Sequence, residues 1–281
     1  MDALDRLIDL ALDEDLGAAG DVTTAALVPA STRGQAELVA KERLVFAGGE
    51  AFARVFQHLE PASSVAFRFD DGARVEASTV VASVSASLRT LLIGERTALN
   101  LVQRLCGIAT LSAQAAEAVR GTRCRVLDTR KTSPGMRALS KQAVLAGGAY
   151  NHRFGLFDGV LIKDNHLAAV GGDVREALRR ARQAAPRLLK VEMEVTSLNQ
   201  LEDAVEGGAD AVLLDNMSDA DVAEAMRRIR GRVEVEVSGG VTIERLPRLA
   251  ALGVDFVSLG ALTHSARAMD LSLELMPETP R

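Results

Sequence analysis

At 281 residues, 48% hydrophobic and 25% charged, the chain is long enough for one α/β barrel, alone or with a smaller domain beside it. A formal net charge of -5 argues against a nucleic-acid partner, and the two cysteines, Cys106 and Cys124, offer neither a disulfide framework nor a metal-ligand spacing. The N-terminus is acidic where a secretory leader is basic, and no apolar run approaches membrane-spanning length. The expectation is therefore a soluble, cytoplasmic protein with no membrane partner.

Residues 3–12 carry apolar side chains at helical spacing, and residues 17–24 (GAAGDVTT) read as a loop. Alternation over 35–41, 44–47, 65–69, 73–75 and 80–84 predicts strands, with a helix at 51–58, and together these make an α+β module. A helix is expected over 90–106, ending at Gly107, and another over 109–119.

From residue 123 onward the pattern becomes strand–helix repeats. Strands are predicted at 125–127, 159–162, 190–195, 211–214, 233–237 and 256–259, with helices at 138–146, 174–184, 198–206, 220–229 and 243–252. Six strands alternating with helices fit a TIM-like barrel, with a doubly wound sheet as the competing topology. The strands at 125–127 and 159–162, joined by a helix, are expected to be parallel neighbours.

Polar groups recur just past these strands, where a barrel places its chemistry. Arg130, Lys131, His152, Arg153 and Lys163 lie at or near the ends of elements. Five potential cations turned toward one mouth would repel one another unless an anion sat among them. Glu194 and Asp215 end neighbouring strands, where they suit sugar hydroxyls, a divalent metal carried by a phosphate ligand, or a structural salt bridge to Lys163 or Lys190. Glu192 shares the strand parity of Glu194. Ser238-Gly239-Gly240, ahead of a helix expected near Ile243, has the form of a phosphate cradle, and Gly260-Ala261 could be its partner. His264, like His152, falls in one of these loops. The residues alone point to an enzyme for a phosphorylated sugar and a carboxylate-bearing partner.

The blocks ERTALNLVQRLCGIAT, LDTRKTSPGMRALSKQAV, GGAYNHRFGLFDGVLIKDNH, VEMEVTSLNQLEDA, LLDNM, VSGGVT and LGALTHSA together resemble the quinolinate phosphoribosyltransferase family over nearly the whole chain. The resemblance implies an N-terminal α/β sandwich over residues 1–107, an incomplete TIM-like α/β barrel over 108–265, and a tail, 266–281, packed on the first domain. It implies transfer of phosphoribosyl from 5-phosphoribosyl 1-pyrophosphate to quinolinate with decarboxylation, with Mg2+ accompanying the donor. It also implies a homodimer, or a larger assembly, in which Arg96 reaches the neighbouring site.

Carried over by motif, Arg130, Lys131, His152, Arg153 and Lys163 would hold the quinolinate carboxylates and nearby phosphate oxygens. Glu194 and Asp215 would meet ribose hydroxyls and magnesium, and Ser238, Gly239, Gly240, Gly260, Ala261 and His264 would line the 5-phosphate and neighbouring sites. Lys131, Lys163, Glu194 and Asp215 are the expected catalytic groups. Three positions depart from the family's usual form: Cys106 stands where QRLSG is more familiar, Gln142 where an aromatic often precedes AV, and Val237 where EASGG is usual. A Schiff-base lyase using Lys163 or Lys190 is the reading from another enzyme class.

Overall fold

The computed structural model describes residues 2–276, so positions 277–281 of the expected tail lie outside the described residues. The chain divides into two units. Residues 2–113, 132–148 and 263–276 form the first, and residues 114–131 and 149–262 form the second. The sequence reading drew its boundary at Gly107 instead and assigned 132–148 to the barrel.

In the first unit, helix α1 (Ala3–Leu16) starts at a capping box: Asp2 accepts the Asp5 N–H at 2.8 Å, and Asp5 accepts the Asp2 N–H at 3.3 Å. Residues 17–24 are not all loop. Helix α2 (Val22–Leu27) begins within them because Asp21 caps it, accepting the Thr24 N–H at 2.9 Å. There follow β1 (Arg33–Ala40), β2 (Leu44–Val45), α3 (Gly49–Leu59), β3 (Ser64–Phe67), β4 (Arg74–Val75) and β5 (Thr79–Ser87). Antiparallel pairing sets Leu38 of β1 opposite Ala82 of β5, and both are buried. Helix α3 turns one face inward through Ala51, Phe52, Val55 and Phe56. The Phe52 ring meets Phe56 at 5.2 Å and Phe67 of β3 at 6.4 Å between centroids, and each fully buried phenyl contributes about 2–3 kcal/mol of burial free energy.

Helix α4 (Leu88–Ala118) runs unbroken for 31 residues, against the expected stop at Gly107. A Cβ on Gly107 would lie 1.8 Å from the Arg267 carbonyl oxygen. The glycine therefore permits two backbones to cross closely and does not end the helix. Beside it, Cys106 Sγ sits 3.4 Å from the Ala47 nitrogen and 3.5 Å from its carbonyl oxygen, a pair of contacts a serine could also make. Burial pushes that thiol up to about 12. Arg104 donates to the carbonyls of Thr263 and Ala266. Helix α5 (Arg137–Ala146) ends against α4: a Cβ on Gly147 would meet the Ala109 carbonyl oxygen at 2.3 Å.

The second unit is a six-stranded parallel sheet of β6 (Arg125–Leu127), β7 (Val160–Ile162), β8 (Val191–Val195), β9 (Ala211–Asp215), β10 (Glu234–Ser238) and β11 (Phe256–Ser258), in the order β6-β11-β10-β9-β8-β7. Helices α6 (Asp164–Ala169), α7 (Val174–Ala184), α8 (Leu198–Glu206), α9 (Asp219–Ile229) and α10 (Leu246–Ala251) alternate with the strands, and α11 (Ala261–His264) follows the last of them. From β7 to β11 each strand lies beside its predecessor, which is the sequential winding of a barrel and not the reversal of a doubly wound sheet. The two strands expected to be neighbours, β6 and β7, instead terminate opposite ends of the order, so the barrel is incomplete. The expectation required the intervening helix to cross over this sheet, whereas α5 belongs to the first unit. At β6 a parallel bridge from Leu127 to Tyr150 occupies the seam. The chain returns to the first unit as β12 (Leu271–Leu275), which pairs with β1, Leu273 opposite Leu38. Among the described residues no helix is long and apolar enough to cross a membrane.

Alanine favours a helix interior over glycine by about 1 kcal/mol, yet at position 107 it would collide with backbone. Gly107→Ala should therefore lower stability by about 3 kcal/mol or more, read as a fall in the urea midpoint at unchanged slope. A raised midpoint would mean that propensity decides and the Arg267 carbonyl retreats freely.

Candidate active site

The C-terminal ends of the parallel strands converge on a cavity of about 510 Å³, within the range of small-molecule sites. Its lining includes Arg130, Lys131, His152, Arg153, Lys163, Glu194, Asp215, Ser238, Gly239 and Gly240, ten of the residues expected from sequence. Gly260 and Ala261, which follow β11, are not among the lining residues. Arg96 on α4 and His264 belong to the first unit, and both are exposed.

Each lining group is held by its element. Just past β6, Asp128 is fully buried and accepts the His152 N–H at 2.8 Å, which fixes the loop that delivers His152 and Arg153. Arg153 donates to the Gly159 carbonyl at 2.9 Å, ahead of β7. Burial, and next the neighbouring Arg130 charge, lower the pKa of the Arg153 guanidinium below its ordinary value. Like-charge crowding of this kind makes an anion welcome. Lys163, just past β7, pairs with the buried Glu194 of β8. The structural salt bridge anticipated for Glu194 thus exists, and it lies in the cavity wall. Lys190 is elsewhere, exposed and 2.6 Å from Glu234, which leaves it outside the lining and weakens its case as a Schiff-base lysine.

Asp215 ends β9 and receives the Asn216 side-chain amide at 2.8 Å. Asn216 adopts a left-handed backbone, φ 54°, and its N–H donates to the Ser238 carbonyl at 3.0 Å. That crossing requires Gly239, where a Cβ would lie 2.4 Å from Asn216 Oδ1. Gly240, at φ 58°, has open space where a side chain would project. The helix expected to begin near Ile243 is only a 3-10 turn, Ile243–Arg245, and α10 starts at Leu246 with Pro247 in its first turn. A helix dipole therefore contributes little to this cradle, which rests on glycine backbone and the Ser238 hydroxyl.

Six lining residues lie outside the set expected from sequence, Thr129, Leu161, Leu213, Asn216, Glu236 and Ser258, and Glu236 on β10 is the ionisable one among them. The signal was available: strand side chains repeat every second residue, so a cavity-facing Ser238 places Glu236 on the same face. His152 Nε2 lies 3.2 Å from Glu192 Oε2 and 3.5 Å from Glu236 Oε2, and the donor atoms of the three residues fall within 4.8 Å of one another. A metal ion on Nε2 would require the ring proton on Nδ1, but Nδ1 accepts the Arg153 N–H at 2.7 Å. The cluster as built shares protons instead. Burial opposes the imidazolium, but hydrogen bonding to Glu192 and the charges of Glu236 and Glu192 outweigh it and raise the His152 pKa. The hard oxygen donors of Glu194 and Asp215 are the pair suited to a divalent ion shared with a phosphate ligand.

The model of the quinolinate phosphoribosyl transferase N-terminal domain matches residues 21–106, and that of the C-terminal domain matches residues 108–274. The nicotinate-nucleotide pyrophosphorylase (carboxylating) of Mycobacterium leprae strain TN is 45% identical over 279 residues, covering 98% of both chains. The probable nicotinate-nucleotide pyrophosphorylase (carboxylating) of Bacillus subtilis strain 168 is 39% identical over 272 residues, 97% of this chain and 93% of that protein. The crystal structure of NadC from Streptococcus pyogenes superposes with a TM-score of 0.92 at 40% identity, covering 97% of this chain and 96% of that one. A cation-ringed cavity at the strand ends of an incomplete barrel, matched across both domains, places the chain in the quinolinate phosphoribosyltransferase family.

Proposed function

We propose that this protein transfers phosphoribosyl from 5-phosphoribosyl 1-pyrophosphate to quinolinate with decarboxylation, yielding nicotinate mononucleotide, carbon dioxide and pyrophosphate for de novo NAD synthesis in the cytoplasm. The observation that carries this reading is the crowding of Arg130, Lys131, Arg153 and Lys163 around one cavity that also presents Glu194, Asp215 and a glycine wall. Quinolinate is a dianion, and fixed guanidinium and ammonium groups suit its two carboxylates. The acidic pair suits ribose hydroxyls. Ser238, Gly239 and Gly240 suit the 5-phosphate, with Gly260, Ala261 and His264 as further contributors.

The chemistry follows from the charges. Loss of pyrophosphate leaves positive charge on the ribose, and the pyridine nitrogen attacks it. Quaternisation of that nitrogen then stabilises the electron pair left on C2 when the adjacent carboxylate departs as carbon dioxide. Lys131 and Lys163 would steady the developing negative charge in a site whose donors are already in place. Glu194 and Asp215 would hold magnesium, which would supply charge neutralisation for the pyrophosphate leaving group. Arg96 would complete the site of a second copy in a homodimer, a role open to an exposed arginine on α4.

Purified protein incubated with quinolinate, 5-phosphoribosyl 1-pyrophosphate and magnesium should form nicotinate mononucleotide, followed by chromatography, and chelation of the metal should stop it. Nicotinate in place of quinolinate should give none, and product from nicotinate alone would overturn the substrate. Lys131→Ala and Arg153→Ala should each lower kcat/KM by about a hundredfold or more. A second test addresses the dimer. Arg96→Ala and Lys131→Ala, each inactive alone, should on mixing regain roughly a quarter of wild-type activity if Arg96 acts across the subunit boundary. No recovery on mixing would confine Arg96 to its own chain.

A further inference from the structure

The floor of the cavity holds a group that anion binding does not use. Glu236 is 3% exposed, and among the described residues its Oε1 has no hydrogen-bond partner. Its Oε2 lies 3.5 Å from His152 Nε2. An ionised carboxylate so placed lacks the solvation that would hold its charge, so the group is stable only with a proton on it or while briefly discharging one.

The groups that face Glu236 come from several elements: Glu192 from β8, His152 from the loop before β7, Lys163 from the end of β7, and Ser258 from β11. Burial, followed by the charge of Glu192, pushes Glu236 up to about 7, against the downward pull of His152, the Ser258 hydroxyl and Lys163. The tautomer of His152 fits this arrangement. Its Nδ1 accepts the Arg153 N–H at 2.7 Å, so the ring proton sits on Nε2 and points at the two carboxyls. The imidazole thus presents its Nε2–H to both carboxyls, and burial beside the Glu192 charge favours a proton on Glu236 as well.

Decarboxylation creates a demand for such a proton. We propose that Glu236 is the general acid that protonates C2 of the pyridine ring once carbon dioxide has left, an inference that rests on the phosphoribosyl transfer with decarboxylation proposed above. The C2–carboxylate bond breaks heterolytically, and its electron pair remains on C2 beside the cationic ring nitrogen. The Glu236 O–H bond then breaks toward C2 and a C2–H bond forms. Glu236 is left as a carboxylate, steadied by Lys163 and the Ser258 hydroxyl, and regains a proton from water. Nothing is oxidised or reduced. Without the acid, C2 would recapture carbon dioxide still held in the cavity, and the reaction would stall at quinolinate mononucleotide.

Glu236→Gln retains the shape and removes the acidic proton. In a single turnover with quinolinate carrying 13C in its C2 carboxylate, the variant should release pyrophosphate at the wild-type rate but lose labelled carbon dioxide about 10²–10⁴-fold more slowly. Quinolinate mononucleotide should accumulate. In the wild type, the single-turnover rate of carbon dioxide loss should fall as pH rises through about 7, because the acid form is the active one. This second readout needs no variant to fold. Equal slowing of pyrophosphate and carbon dioxide release in the variant, or a flat wild-type profile between about pH 6 and 8, would overturn the assignment. If wild-type protein released neither product from quinolinate, the reaction itself would be misassigned, a result distinct from either of these.

Discussion

Like-charge repulsion is the constraint that shapes the second unit. Two unit charges 4 Å apart interact by about 4 kcal/mol at the effective dielectric of a protein surface, and the cavity gathers Arg130, Lys131, Arg153 and Lys163 around one volume. The fold must hold them there before any ligand arrives. It does so with backbone anchors and acid partners: the Gly159 carbonyl for Arg153, Glu194 for Lys163, and the buried Asp128 gripping the His152 amide. An incoming dianion then relieves a repulsion that folding has already overcome, which is what preorganisation means in electrostatic terms.

Strand parity delivers these groups. In β8, Glu192 and Glu194 share one face while Val191, Met193 and Val195 are buried on the other, so one five-residue strand supplies both apolar packing and cavity charge. In register across β9 and β10, Ser238 pairs with Asp215, which brings the hydroxyl, the carboxylate and the Asn216–Gly239 crossing together. The left-handed Asn216 and the glycine opposite it form one device, since neither backbone could approach so closely with a side chain between them.

Much of this was legible in the sequence because buried parallel strands are apolar runs and their ends carry polar residues, so the six strands and ten lining residues could be read directly. What failed depended on distant partners. Gly107 looked like a helix stop because the carbonyl that needs its bare Cα lies 160 positions away, at Arg267. The neighbour relation of β6 and β7 failed because α5 packs in the other unit, a choice made by Gly147 against α4 and invisible to local periodicity. The start of α2 was missed although Asp21 is an ordinary cap, because the glycines at 17 and 20 dominate the local pattern. Glu236 was passed over because an alternating VEVEV reads as strand with a solvated face, whereas the parity it shares with the cavity-lining Ser238 turns it inward.

Acids belong on the floor of so basic a cavity for a reason beyond charge balance. Arginine and lysine make good fixed charges but poor proton donors, since their pKa values lie far above neutrality. Burial moves a carboxyl the other way, toward a pKa useful near pH 7. Alone among cations, Glu236 would still be driven toward its ionised form. Burial and the Glu192 charge oppose that drive, against the pull of His152 lying between the two carboxyls. The acidic pair is thus a condition for keeping a transferable proton where the surrounding cations favour negative charge, and the same burial that leaves Glu236 Oε1 without a hydrogen-bond partner among the described residues keeps that proton in place.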